Sequence, residues 1–364
     1  MKATFHVSPI PEVKNQHRVA FESILSELAG NAAKEDAGTG DIAHSIDLLR
    51  SVGVQEDDGT ADAASTAYRL IRVGAVNLSV GRLWEGHINA LHLVKAHGSK
   101  DVQHHVRGLL SAGAFFGVWG ADDVAPVVMN KDGTTLLGAK KFTSGLGVVT
   151  HAVITINSGP QVRLALVEVR DGTRSDASGW QMPGMKATAS GRFDFAGMTV
   201  PSLGWIGGPG DYLTEPHFVG GVWRIAALQV GAAVGLIEAA TAKLRAMDRM
   251  GAEAQKSRLA DILMRAVAGC ELVEKAAIQS NSATPDQAVA LSIAARLLTE
   301  TVALDTIRAV EQSLGLGHFD AGSDTGRMAR DLSVYLRQAA RDAFLMRFAD
   351  HAFADENAIW GLVT

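Results

Sequence analysis

The sequence predicts an α+β chain, mostly helical, in three parts. These are an N-terminal helical domain, a central antiparallel β-barrel or sandwich, and a C-terminal four-helix bundle. Three observations predict it. Apolar residues recur at three-to-four spacing in residues 1–112 and again in 216–364. Between them, in 113–215, short apolar or alternating runs are separated by turn signals. The order of helices, strands and helices excludes a doubly wound sheet, which needs alternating β and α.

In the first part, Leu25 and Leu28, then Leu48, Leu49 and Val52, mark helical faces. Lys34 to Gly40 and Gln55 to Gly59 are polar breaks. A long helix is expected from Ser79 into Val94, ending near Gly98. In the second part, Phe115 to Trp119 is a short apolar run. Asn130-Lys131-Asp132-Gly133 is a turn signal between Val127-Val128 and Leu136-Leu137. His151 to Ile156, Val162 to Val169 and Arg192 to Phe195 read as further strands. In the third part, Thr284 and Pro285 form a clean helix start, Thr as the cap and Pro at the first helical position. Ile293, Leu297, Leu304, Ile307 and Leu314 then define an expected core stripe, which Gly315 and Gly317 close.

Composition bounds the function. The 364 residues are 47% hydrophobic and 20% charged, which excludes a disordered chain. Lys and Arg number 34 against 39 Asp and Glu, a net charge of −5. That balance argues against nucleic-acid binding, which needs a basic surface. The single cysteine, Cys270, permits neither an intramolecular disulfide nor a Cys-based zinc site, and its apolar flanks predict a buried thiol. Met1 to Lys14 lack a signal pattern, and no apolar run approaches the roughly 20 residues that span a bilayer. A cytoplasmic protein without membrane contact is expected.

Motifs for nucleotide phosphates, serine hydrolysis or zinc proteolysis are absent from the sequence. Histidines cluster at His87, His92, His97, His104 and His105. His104 and His105 read as solvated. His87, among Ala, Leu and Trp, reads as buried.

Three segments carry a resemblance: Leu137-Gly-Ala-Lys-Lys-Phe-Thr-Ser-Gly145, Gly184-Met-Lys-Ala-Thr-Ala-Ser190, and Phe195-Ala-Gly-Met-Thr-Val-Pro201. In that order they resemble the middle domain of the acyl-CoA dehydrogenase superfamily. Leu83-Trp-Glu-Gly-His87, Arg249, Gln312-Ser-Leu-Gly-Leu-Gly-His-Phe319 and Arg330-Asp331 also fall where that family has anchors. The likeness extends over nearly the whole chain. It implies a flavoenzyme oxidising an acyl thioester or related small molecule by hydride transfer to flavin N5. The implied cofactor is FAD, with FMN as the alternative. Phe142 would pack on the isoalloxazine, flanked by Thr143, and Ser144 would bond its N5/O4 edge. Val118 and Trp119 would offer backbone N–H groups to the pyrimidine end. Arg249, Gly315 and Gly317 would serve the phosphates across a subunit interface, in a homodimer or homotetramer.

The sequence also departs from the family. The two positions where the family places its catalytic carboxylate hold Ala339 and Trp223, the latter just before Arg224. A cofactor loop is shortened to Trp119-Gly-Ala-Asp-Asp-Val-Ala125, and the residues after Arg249 are altered near Gly251-Ala252. Candidate catalytic residues are therefore Glu85, His87 and Arg224. Glu85 could replace the base, or could be a structural carboxylate. Monooxygenases of the superfamily lack the carboxylate and use histidine and serine with reduced flavin and oxygen. His87 falls near one such histidine, whereas Gln338 stands where a second is usual. A non-catalytic homologue is the third alternative.

Overall fold

The computed structural model describes residues 15–52, 62–337 and 340–363. The Gln55–Gly59 break, the Met1–Lys14 segment, Gln338 and Ala339 lie outside the described residues. Five helices come first: α1 (Asn15–Asp36), α2 (Ile42–Ser51), α3 (Ala63–Val76), α4 (Leu78–His97) and α5 (Lys100–Ser111). Side-chain oxygens of Asp41, Asp62, Asn77 and Ser99 cap the last four, each accepting from a backbone N–H of the first turn. The expected long helix is α4, and Gly98 is its C-cap.

The strands follow: β1 (Phe116–Trp119), β2 (Val128–Met129), β3 (Leu136–Leu137), β4 (Ala139–Lys141), β5 (His151–Ser158), β6 (Gln161–Glu168), β7 (Ser175–Asp176), β8 (Arg192–Asp194) and β9 (Trp205–Ile206). They form a six-stranded and a three-stranded sheet. The Asn130–Gly133 turn joins β2 to β3 in antiparallel register, and β5 pairs with β6 along all eight residues. The larger sheet is mixed, because β5 takes both β1 and β2 in parallel on its other edge.

The last helices are α6 (Trp223–Ala246), α7 (Glu253–Gln279), α8 (Pro285–Leu314), α9 (Asp324–Tyr335), α10 (Arg341–Ala352) and α11 (Ala358–Val363). Thr284 caps α8 through Gln287 N, and α8 stops at Gly315, whose φ is +60°. The expected stripe on α8 is only partly core. Ile293 is fully buried, but Leu304 is 36% exposed. The inward positions are instead Ala295, Thr299, Val302, Thr306 and Val310. α8 is wrapped on several sides, so a single periodic stripe does not define its inner face.

By length and composition α6 and α8 could each cross a membrane, which the sequence reading overlooked. Both are mostly buried within the fold and carry buried charges, Arg224 on α6 and Arg296 and Glu300 on α8, as core helices do. α3 lies directly on α6. A Cβ on Gly231 would stand 2.1 Å from the Ile71 carbonyl oxygen, and one on Gly235 1.9 Å from that of Ala75. The two glycines thus let the N-terminal helices seat against the bundle. The main apolar core runs through helices and sheets alike, with two smaller clusters beside it.

Candidate functional site

The three resembling segments converge. Thr143 donates both its N–H and its hydroxyl to the Gly191 carbonyl, at 3.0 and 2.9 Å. Gly145 N donates to Thr188 O at 2.7 Å, and Leu146 N to Ala189 O at 3.2 Å. Residues 143–146 are therefore stitched to 188–191. Thr143 is fully buried in that seam, so its hydroxyl holds the backbone together and does not face a ligand. Farther along, Asp331 accepts from Met185 N at 2.6 Å, and a Cβ on Gly184 would meet Arg330 O at 2.3 Å. The Gly184 segment and the Arg330-Asp331 pair, 146 residues apart, are in direct contact.

Ser144 stands at the centre. Its Oγ accepts from Ser190 Oγ at 2.9 Å, and its carbonyl accepts from Trp119 Nε1 at 3.0 Å. Ser190 is in turn 2.8 Å from Thr188 Oγ1. Ser144, Val118 and Trp119 line one small, partly open recess of about 10 Å³ with Arg82, Leu83, Gly86, Gly117 and Val149. An open groove of about 470 Å³, lined by Trp180, Gln181, Met182, Pro183, Lys186 and Ser190, lies on the other side of the serine pair. Phe142 projects beside it, 53% exposed, with its ring edge-on to Trp180 at 6.3 Å.

The backbone of β1 separates two expectations. Phe115 O accepts from Thr150 N, whereas Phe116 N donates to His87 Nδ1 at 3.0 Å on the edge that no strand among the described residues covers. Backbone groups alternate sides along a strand, so Val118 N–H aims at that same open edge, toward the cavity. Trp119 N–H turns to β5 instead. The Trp119 ring is buried against Phe193 and Phe195 at 5.4 and 6.5 Å. Trp119 lines the site but does not offer it the expected backbone donor.

The backbone is strained at these places. Among the described residues, five non-glycine residues have positive φ: Phe142, Met185, Ala189, Asp248 and Ala340. A left-handed conformation costs an L-residue roughly 1–2 kcal/mol, and such strain concentrates at functional sites. Three of the five belong to the Ser144 region. Asp248 precedes Arg249, and Ala340 follows Ala339.

The Gly315–Gly317 turn and Lys243 form a second constellation, at one end of the bundle. Arg249 is exposed between α6 and α7. Lys243, in the last turn of α6, donates to Gly317 O at 2.8 Å. Among the described residues no hydrogen bond links this constellation to Ser144.

The candidate catalytic residues are all buried. His87 is fully enclosed, its ring stacked on Phe115 at 4.8 Å and 10° and near Phe116 at 5.5 Å. Its Nδ1 accepts from Phe116 N, and it does not line the Ser144 cavity. Glu85 lies between Arg82 at 3.1 Å and Arg224 at 3.7 Å. Arg224 also donates to Asn89 Oδ1 at 2.7 Å, and burial lowers its pKa despite Glu85. Trp223 is buried, with the Arg224 guanidinium 5.5 Å from its ring centre.

Sequence reading missed two features. Lys140, inside the Leu137–Gly145 segment, is a fully buried brace. Its Nζ bonds Asp122 at 2.5 Å and Thr155 at 2.6 Å, fixing the loop after β1. His92, His97 and His217 form an imidazole cluster, His92 Nε2 lying 3.3 Å from His217 Nδ1. Burial, then Arg224 and the other imidazoles, pushes the His92 pKa down to about 3. Among the described residues no His, Cys, Asp and Glu group is arranged to hold a metal.

The layered order, the converging segments and the site beneath α4 define the acyl-CoA dehydrogenase fold, and the chain has it. Solved structures agree. Similar folds include TdsC from Paenibacillus sp. A11-2 in complex with FMN and indole, at TM-score 0.81 and 14% identity over 93% of this chain and 97% of that one. Butyryl-CoA dehydrogenase from Megasphaera elsdenii superposes at TM-score 0.81 and 16% identity over 96% and 100%. KijD3, in complex with FMN and a dTDP-linked amino sugar, does so at 0.80 and 18% over 96% and 97%. No protein-family model and no curated protein sequence matches the chain.

Proposed function

We propose that this protein is a flavin-dependent oxidoreductase acting on a small molecule. The observation that carries the reading is the set Val118, Phe142 and Ser144. It comprises a backbone donor on an open strand edge, an exposed ring held in a strained backbone, and a hydroxyl whose acceptor side Ser190 occupies. These suit a flat heterocycle with acceptors at its rim. A bound flavin would supply two-electron redox chemistry there. The fold neighbours that carry FMN support the same reading.

Within this reading, use of reduced flavin and oxygen is favoured over dehydrogenation of an acyl thioester. Removing an α-proton needs a positioned base, typically worth 10²–10⁴ in rate. Among the described residues, none that lines the Ser144 cavity is an acid. Glu85 faces two guanidiniums, and the family's base positions are Trp223 and Ala339. His87 is committed to Phe116 N, so the serine pair is left as the hydroxyl donor at the reacting edge.

FMN is favoured over FAD. Two of the fold neighbours, TdsC and KijD3, carry FMN, and the shortened loop after β1 has its Asp122 and Asp123 already paired with Lys140 and Arg192. Exposed Leu263, Met264 and Val267 on α7 and Leu304 on α8 support a homo-oligomer. A cytoplasmic location belongs to the same proposal.

Flavin-loaded protein, anaerobic with a panel of acyl-CoAs, tests the choice of reaction. No bleaching is expected. Reduced FMN with oxygen should instead hydroxylate or sulfoxidise a small aromatic, seen as one added oxygen by mass spectrometry. Bleaching by any acyl-CoA would restore the dehydrogenase reading.

A further inference from the structure

Resting on the flavin reading, we propose that the small molecule taken beside Ser144 carries a carboxylate, and that Arg82 binds it. Arg82 lines the same cavity as Ser144 and Val118. Its side chain is 27% exposed, partly desolvated yet reachable. Only Nη1 has a hydrogen-bond partner among the described residues, Glu85 Oε2 at 3.1 Å. The remaining N–H groups keep the fork that matches a carboxylate.

Charge counting points the same way. Glu85 is shared by Arg82 and Arg224, so two cations face one anion and one positive charge is in excess. Arg296 and Arg341 also share Glu300, each at 3.2 Å, but there Asp342, 3.7 Å from Arg341, supplies a second anion. Tyr335, buried within reach of Glu85, Arg82 and Arg296, adds no negative charge, because burial keeps its phenol protonated. With the Val118 N–H and the Ser144 hydroxyl given to the flavin, Arg82 is the one charged residue among the described residues that line this cavity. A cation surplus in a half-desolvated wall is unfavourable until an anion joins it.

The test uses the full chain. Isothermal titration calorimetry compares benzoate, phenylacetate and butyrate with their amides, with and without FMN. At least one acid should bind roughly tenfold or more tightly than its amide. Arg82→Met should abolish that preference with unchanged circular dichroism and FMN affinity, and Arg82→Lys should retain part of it. If no acid outbinds its amide on the wild-type chain, or if the preference survives in Arg82→Met, the proposal fails. It also fails if Arg82→Met weakens FMN itself, since Arg82 would then serve the cofactor. An FMN titration without acids reports on the flavin reading separately.

Discussion

Ser190 Oγ lies 2.9 Å from Ser144 Oγ and donates to it. A serine hydroxyl has one proton and two acceptor lone pairs. With one lone pair filled by Ser190, the Ser144 proton is left to donate elsewhere, and the adjoining cavity is where a ligand edge would receive it. Ser144→Ala is therefore expected to weaken FMN binding about tenfold, the net worth of one hydrogen bond. Ser190→Ala should weaken it less, because the Ser144 hydroxyl remains but loses its orientation. Flavin fluorescence titration reads both. Wild-type affinity in Ser144→Ala would remove the serine from the site.

His87 supports β1. Its ring fills the space beside Phe115 and Phe116 while Nδ1 accepts from Phe116 N. His87→Ala should cost about 3–5 kcal/mol, from a cavity and an orphaned N–H. Urea denaturation measures it. Wild-type stability together with lost turnover would return His87 to catalysis.

The His92, His97 and His217 cluster makes stability depend on pH. All three have pKa values below the ordinary 6.5, burial being the largest cause. The unfolded chain takes up protons near pH 6.5, whereas the fold resists them, His92 down to about pH 3. Stability should therefore be full above about pH 6.5 and fall as the pH drops toward 3. Denaturation midpoints across that range check it, and His92→Asn should flatten the slope. A flat wild-type profile would contradict the account.

Lys140 fixes the loop that would border the cofactor. Lys140→Met leaves Asp122 without its cation, and a broken buried pair typically costs about 3–5 kcal/mol. Asp122 is part exposed, so the lower end is expected. The double variant with Asp122→Asn should recover part of the loss in a thermal melt. A loss no smaller than that of Lys140→Met alone would mean that the Thr155 contact and the 3.4 Å bond from Lys140 Nζ to Gly120 O matter more.

Local signals made much of the fold legible. The Thr284-Pro285 start, the Asn130–Gly133 turn and the Gly98 stop are each set by residues within a few positions. Pairing of β1 with β5 in parallel was not legible, because which edge a short strand takes depends on what covers it. Leu304 was misplaced because helical spacing cannot tell a core face from one left outside. In the site, Ser144 and Val118 line one cavity, whereas Phe142 stands beside the groove on the other side of the serine pair. Roles were less legible. Thr143 looks like a ligand group in sequence, yet it binds the backbone of Gly191, and nothing in sequence marks Lys140 as a brace. The Arg82–Glu85–Arg224 and His92–His217 relationships join distant elements and leave no spacing to read.

The central claim is that the Val118, Phe142 and Ser144 surface holds a flavin. Purified protein is supplied with FMN or FAD, freed of excess and denatured, and the released flavin is quantified by chromatography. One FMN per chain is expected. Retention of FAD alone would keep the flavin site and contradict the FMN preference. No flavin retained from either supply would contradict the claim itself.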